Sequence, residues 1–211
     1  MEAYTARIEC FLMDTLDFYQ TNAVDFFSQT IDVDMQNLYQ CFFEHLPKRE
    51  QIILDVGCGS GRDSAFFARL GFDVTAIDGS QKLIDLAQGV DAVVDWWVLN
   101  FKDIKNQPWQ NKFTGIWACA SLLHVPFRDL PKLLNELIEC LQLGGVLYVS
   151  FKYGDSERIK EERFFCDLNE ERWKIIENQL DNFDVLRLWQ TKDNRVDRQE
   201  IWLNVILCRT I

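Results

Sequence analysis

Apolar residues recur along this chain with two spacings, and the change between them divides it near residue 50. Before Pro47 the spacing is helical: Ile8, Phe11, Leu12, Leu16 and Tyr19 form one stripe, and Met35, Leu38, Tyr39, Phe42, Phe43 and Leu46 another. Asp34 stands as N-cap of the second helix and Pro47 marks its end. From Gln51 onward, short apolar runs alternate with amphipathic ones, which predicts a parallel sheet with right-handed helical crossovers.

The run Ile52 to Val56 predicts a buried strand, followed by a helix carrying Phe66, Phe67 and Leu70. Phe72 to Ile77 is a second strand, 81–89 a short helix ending at Gly89, and Val93 to Leu99 a third strand containing an awkward Asp95. Gly115 to Ala120 is the fourth. Asp129 then caps a helix with the stripe Leu130, Leu133, Leu134, Leu137, Ile138 and Leu141, closed by Gly144 and Gly145. Val146 to Phe151 is the fifth strand, and the charged run from Asp155 to Arg163 reads as a loop or flexible cover. Asn169 caps a last helix with Trp173, Ile176 and Leu180, and Phe183 to Thr191 with Gln199 to Arg209 form a long hairpin.

Composition narrows the class. A chain of 211 residues, 48% hydrophobic and 13% aromatic, is folded and builds a substantial core. Its net charge of -11 argues against a nucleic-acid backbone as partner. The seven cysteines are odd in number and scattered through apolar runs, which fits reduced thiols in the cytoplasm better than a disulfide framework. None lies at C-x-x-C spacing, and with only His45 and His124 no metal cluster is expected. No apolar run approaches the ~20 residues of a spanning helix, and the first twenty positions are too polar for a signal peptide.

The candidate chemistry begins where the first strand ends. Asp55-Val56-Gly57-Cys58-Gly59-Ser60-Gly61 is a glycine turn between strand and helix, where the backbone bends sharply and a ligand can approach without a Cβ in its way. A nicotinamide fingerprint, G-x-G-x-x-G/A, requires Gly or Ala where Arg62 stands. Asp55, at the carboxyl end of the strand, is placed to reach a ligand amine. Asp78 closes the second strand 21 positions after Gly57, where an acid accepts hydrogen bonds from ribose hydroxyls; capping of the next helix is its other reading. The fourth-strand exit puts small residues, Ala118 to Ala120, and then His124 on the same sheet edge. His124 reads either as a general base or as a structural histidine bonded to a carbonyl.

The glycine turn resembles motif I of the class I S-adenosylmethionine-dependent methyltransferases, and Gly61-Arg62-Asp63-Ser64 resembles their tellurite-resistance-type small-molecule branch. The resemblance covers residues 51–211. It implies a Rossmann-like three-layer α/β sandwich whose seven-stranded, mostly parallel sheet has one antiparallel strand, with 1–47 as a helical cap and 48–211 as the methyltransferase domain. It also implies cofactor contacts from Asp55, Gly57, Cys58, Gly59, Arg62, Asp78, Gly79 and Ala118. Asn100 and Phe101 would hold the adenine, with Asp103 as the other candidate acid, and Tyr19 would belong to a lid over the methionine end. Tyr19 reads equally as a packing aromatic, and Arg62 either pairs with the cofactor carboxylate or with a neighbouring acid. Lys152, Tyr153 or an arginine of the charged run could bind an anionic acceptor; a solvated face is the simpler account. The expected activity is methyl transfer to a small-molecule acceptor, leaving S-adenosylhomocysteine. Transfer to protein or RNA, a nicotinamide-dependent oxidoreductase and noncatalytic cofactor binding stand as alternatives.

Overall fold

A computed structural model describes residues 15–195 and 198–211. Seven strands make one sheet in the order β3-β2-β1-β4-β5-β9-β8. The central strands are β1 (Ile52–Val56), β2 (Asp73–Asp78), β3 (Asp95–Val98) and β4 (Phe113–Ala118), all parallel. β5 (Leu141–Lys152) continues parallel to β4, whereas β9 (Ile201–Arg209) runs antiparallel to both β5 and β8 (Phe183–Lys192). The expected single antiparallel strand is therefore β9, and the fold is the Rossmann-like sandwich that the family resemblance implies.

Ile53, Leu54 and Val56 are fully buried because helices cover both faces of β1. One face is packed by α6 (Leu130–Cys140) and α7 (Glu170–Glu177), whose leucines, Trp173 and Ile176 join the larger core. The other is packed by α3 (Gln36–His45) and α4 (Arg62–Arg69) through Tyr39, Phe42 and Phe67, which surround Trp117 of β4. Each such side chain contributes roughly 1.5–3 kcal/mol on burial. α5 (Gln81–Gln88) completes the crossover from β2 to β3, with Ser80 Oγ accepting from Leu83 N as its cap.

Ahead of the sheet, α1 (described over 15–21) and α2 (Ala23–Thr30) lie across its carboxyl edge. The stripe positions Ile8, Phe11 and Leu12 fall outside the described residues. Asp34 does bond the start of α3, its carboxylate accepting from Gln36 N at 2.9 Å.

Three expectations need correction. Gly144 and Gly145 do not close a helix: α6 stops at Cys140, because Leu141 turns extended and pairs with Phe113, and the glycines form an irregularity inside β5. The charged run is not a loop. β6 (Glu157–Lys160) and β7 (Arg163–Cys166) form a hairpin whose two turn residues, Glu161 and Glu162, both have positive φ. Such a turn is normally announced by Asn or Gly, so its sequence signal was absent. Asp129 occupies the N-cap position of α6 without a capping bond, since its backbone is already near-helical there.

Candidate active site

The order of strands reverses between β1 and β4, and the crevice outside their carboxyl ends is where open parallel sheets bind ligands. The glycine turn sits at this point. Gly57 N and Cys58 N both donate to Ile77 O, which locks the turn to β2, and Gly57 has φ of 75°. A Cβ on Gly57 would lie 2.4 Å from Ser121 Cβ, so the first glycine is required by the β4 exit packed against it. Ser121 Oγ is buried and has no partner among the described residues, a polar group left unsatisfied next to the turn.

Asp78 anchors the second wall. Its carboxylate accepts from Gly59 N at 3.0 Å and from Ser80 N at 2.8 Å, so it organises the turn while keeping lone pairs for a ligand. Leu99 N donates to Asp78 O, which brings the β3 exit alongside. Asn100 is exposed at the start of a short 3-10 helix, and the ring of Phe101 comes within 3.4 Å of the point where a Gly57 Cβ would stand. Gly57, Asp78, Gly79, Asn100 and Phe101 are thus neighbours, whereas Asp103 is bonded back to Asn100 O. Above them, Leu16 lies 2.6 Å from the place of a Gly79 Cβ, and Gln20 Oε1 accepts from Ser80 Oγ and Lys82 N. The first helices rest directly on this edge.

Beside the turn opens a cavity of about 460 Å³, lined by Gly57, Cys58, Gly59, Arg62, Tyr19 and His124 among others. Ala118 is buried in β4 and outside this lining; Cys119 and Ala120, with Ala120 at φ of 52°, form the wall instead. His124 meets two partners. Its Nδ1 lies 2.6 Å from Phe164 O, which can only accept, so Nδ1 carries the proton and Nε2 accepts from Tyr19 Oη at 2.8 Å. Burial pushes the imidazole down to about 4, and it is neutral near pH 7. The same burial raises the Tyr19 hydroxyl above its ordinary value.

Asp55 and Arg62 are used within the fold. The Asp55 carboxyl is buried, accepts from Ser64 Oγ at 2.5 Å and lies outside the cavity lining. Burial, with the Asp63 charge behind it, pushes it up to about 8. Arg62 forms a two-pronged pair with Asp63, at 2.6 and 2.9 Å, and donates to Thr30 O at 3.1 Å. Asp63 also accepts from Tyr39 Oη and Trp117 Nε1, and the Arg62 charge, helped by these donors, keeps its carboxyl below its ordinary value despite burial. Gln20 and Ser121 were not singled out in the sequence, and Asp63 and Ser64 were named there only as part of a motif, since the roles of all four depend on partners on other elements. Lys152 lines the cavity, but Tyr153 does not: it is exposed at the strand end and donates to Glu170.

Gly57, Cys58 and Gly59 line the cavity, whereas Asp78, Asn100, Phe101 and the orphaned Ser121 hydroxyl lie outside that lining, on the adjoining edge where Leu16 and Gln20 rest on Gly79 and Ser80.

Comparison with known proteins agrees with the fold. Residues 53–145 match the family described as a methyltransferase domain. Over 102 residues the chain is 34% identical to a ubiquinone biosynthesis O-methyltransferase of Xanthomonas oryzae pv. oryzae, covering 46% of this chain and 41% of that protein. The chain therefore spans about two fifths of the length of the curated relatives it matches. Among solved structures, Burkholderia thailandensis 1,6-didemethyltoxoflavin-N1-methyltransferase, with S-adenosylhomocysteine bound, superposes with a TM-score of 0.70 at 18% identity, over 100% of this chain and 90% of the other. Magnesium protoporphyrin IX methyltransferase from Synechocystis, with bound S-adenosylmethionine, gives 0.67 at 17% identity over 95% and 97%. At these identities the likeness concerns the fold.

Proposed function

We propose that this chain is a class I S-adenosylmethionine-dependent methyltransferase acting on a small molecule. The observation that carries the reading is the convergence of the glycine turn, the Asp78 carboxylate and the Asn100–Phe101 exit on one edge, next to a cavity. Asp78 accepts the ribose hydroxyls, Asn100 and Phe101 hold the base, and the backbone of Gly57–Gly59 lies along the methionyl arm. Bound S-adenosylmethionine supplies an electrophilic methyl group on a sulfonium centre. In-line displacement then asks the protein for proximity, alignment and exclusion of water.

The Tyr19–His124 pair adds a proton acceptor. Neutral His124 presents Nε2 toward the cavity behind the Tyr19 hydroxyl, so an acceptor hydroxyl or amine has a base within reach, directly or relayed through Tyr19. This favours an acceptor that loses a proton, in keeping with the O-methyltransferase relatives. The tellurite-resistance-type branch rests on Gly61-Arg62-Asp63-Ser64 alone, and Arg62, Asp63 and Ser64 make bonds inside the protein. Among the described residues no helix is long and apolar enough to cross a membrane, and the unpaired thiols favour the reducing cytoplasm.

Isothermal titration with S-adenosylhomocysteine and, separately, NAD tests the cofactor. We expect binding of the first and none of the second, with Asp78→Ala weakening S-adenosylhomocysteine by about tenfold or more, the worth of a charged hydrogen bond. Binding of NAD without a response to S-adenosylhomocysteine overturns the assignment. Incubation of size-fractionated cell extract with methyl-labelled S-adenosylmethionine places the acceptor. Label in the low-mass fraction is expected, and label in protein or RNA selects the macromolecular alternative.

A further inference from the structure

The cavity's charge is opposite to that of the molecule. In a chain of net charge -11, its lining carries seven Lys and Arg side chains against four Asp and Glu. They are also unevenly placed. Arg62 stands at the glycine turn, but Lys152, Lys160, Arg163, Lys192, Arg195 and Arg198 all belong to β5, the β6–β7 hairpin, the end of β8 and its link to β9. That is the half of the edge away from β1 and β2, facing whatever lies beyond the cofactor position.

Two of these cations are built into the protein. Lys152 is 7% exposed at the end of β5; its ammonium rests over the Phe165 ring at 4.7 Å, and its acid partner, Glu200, is 3.5 Å away. Arg163 lies over Phe18 at 4.3 Å and Phe165 at 5.4 Å. Its Nε is buried with no partner among the described residues; its acid partner through Nη2 is Glu161, a hairpin-turn residue whose side chain is 62% exposed, and the guanidinium also meets the Tyr19 side chain. An exposed pair of that kind is weak and yields readily to a better-held anion. Of the acids in the lining, Asp63 and Asp193 are already bonded to Arg62 and Arg195. Burying a lysine and an arginine against aromatic rings costs desolvation that their present partners offset poorly, which is the signature of cations awaiting a ligand.

We propose that this half of the cavity is an oxyanion subsite, and that the methyl acceptor carries a carboxylate or phosphate group held by Lys152 and Arg163. The identification of the ligand as the acceptor rests on the methyltransferase reading; the subsite itself does not. The guanidinium fork suits two oxygens of one group, the Lys152 ammonium supplies a point charge, and the rings of Phe18, Tyr19 and Phe165 form an apolar bed for the body of the molecule. Its protic group then faces the Tyr19–His124 pair.

The test uses the whole protein saturated with S-adenosylhomocysteine, titrated by calorimetry with benzoate, phenyl phosphate and the uncharged benzamide. We expect at least one of the two anions to bind, the stronger identifying carboxylate or phosphate, and benzamide not to. Lys152→Met and Arg163→Gln should each weaken the anion about tenfold while S-adenosylhomocysteine binds as before. Lys160→Gln, at an exposed position that folding tolerates, should weaken it less, by an amount that vanishes at high salt. Equal binding of benzamide and the anions, no anion binding at all, or undiminished binding by folded Lys152 and Arg163 variants overturns the proposal. If S-adenosylhomocysteine fails to bind while the anions do, the cofactor assignment falls and the subsite stands.

Discussion

Asp55 is the residue whose role changed most. Its place at the carboxyl end of β1 suggested contact with a ligand amine, yet its carboxyl is buried and bonded to Ser64 behind the turn. Position along a strand was readable from the sequence; which side of the pleat faced the cavity depended on α4 folding back over it. The consequence is a pH effect on stability. In the unfolded chain this carboxyl titrates near 4, about the usual aspartate value, and in the folded protein burial pushes it up to about 8. Between those limits the folded state keeps a proton that the unfolded state has released, so stability falls as pH rises through the window. Asp63, held below its ordinary value, acts in the opposite sense and only in acid, below the unfolded aspartate range. Asp55→Asn keeps an acceptor for Ser64 and cannot ionise. Urea unfolding midpoints measured from pH 5 to 8.5 should therefore fall less steeply for the variant than for the parent, and parallel profiles would exclude this origin.

At the scale of elements, the turn between β1 and α4 is fixed by sterics as much as by the ligand it faces. Gly61 is the N-cap of α4 with φ of 76°, and a Cβ there would stand 2.7 Å from both Ala87 Cβ and the Trp96 ring. Gly61→Ala combines a left-handed residue with overpacking, together worth about 2–4 kcal/mol. We expect a lower thermal midpoint and unchanged ligand selectivity, checked by calorimetric unfolding with and without S-adenosylhomocysteine; an unaltered midpoint means the turn can shift to accept the methyl group. Elements like this one were legible because periodicity and glycine placement act locally: β1, β2 and α5 lie within a residue or two of their expected bounds, and α7 starts at its expected Asn169 cap though it ends at Glu177, short of Leu180. The β6–β7 hairpin was not, since its turn is made by two glutamates and its alternation is mostly of charged residues. That omission mattered, because the hairpin carries Phe165 and Arg163 to the cavity and supplies the carbonyl that fixes His124. The candidate site was legible where a single strand exit places each part, at the glycine turn, Asp78 and Asn100, and illegible where distant segments meet, as Tyr19 and His124 do across 105 positions.

For the molecule as a whole, the first helices connect the two halves of the site. Leu16 and Gln20 rest on the Gly79–Ser80 edge, Phe26 lies 3.0 Å from the place of a Gly59 Cβ, and Tyr19 reaches His124 on the acceptor side. One short stretch of chain thus covers the base position and completes the wall where an acceptor would be oriented. On the proposed cofactor reading, Leu16 and Gln20 stand where a nucleoside would lie, so entry of S-adenosylhomocysteine would displace them, and the contacts they lose would oppose binding. Those contacts are few: one leucine half-buried against a glycine and two hydrogen bonds accepted by one amide oxygen. Net of solvent they amount to about 2–3 kcal/mol, enough to slow entry without preventing it. Replacing both side chains, Leu16→Ala with Gln20→Ala, removes the obstruction while leaving Tyr19 and Phe26 in place. The association rate for S-adenosylhomocysteine, followed by stopped-flow tryptophan fluorescence, should then rise several-fold. A rate equal to that of the parent chain would mean that the segment clears the edge before the ligand arrives, and that its packing there does not gate the site.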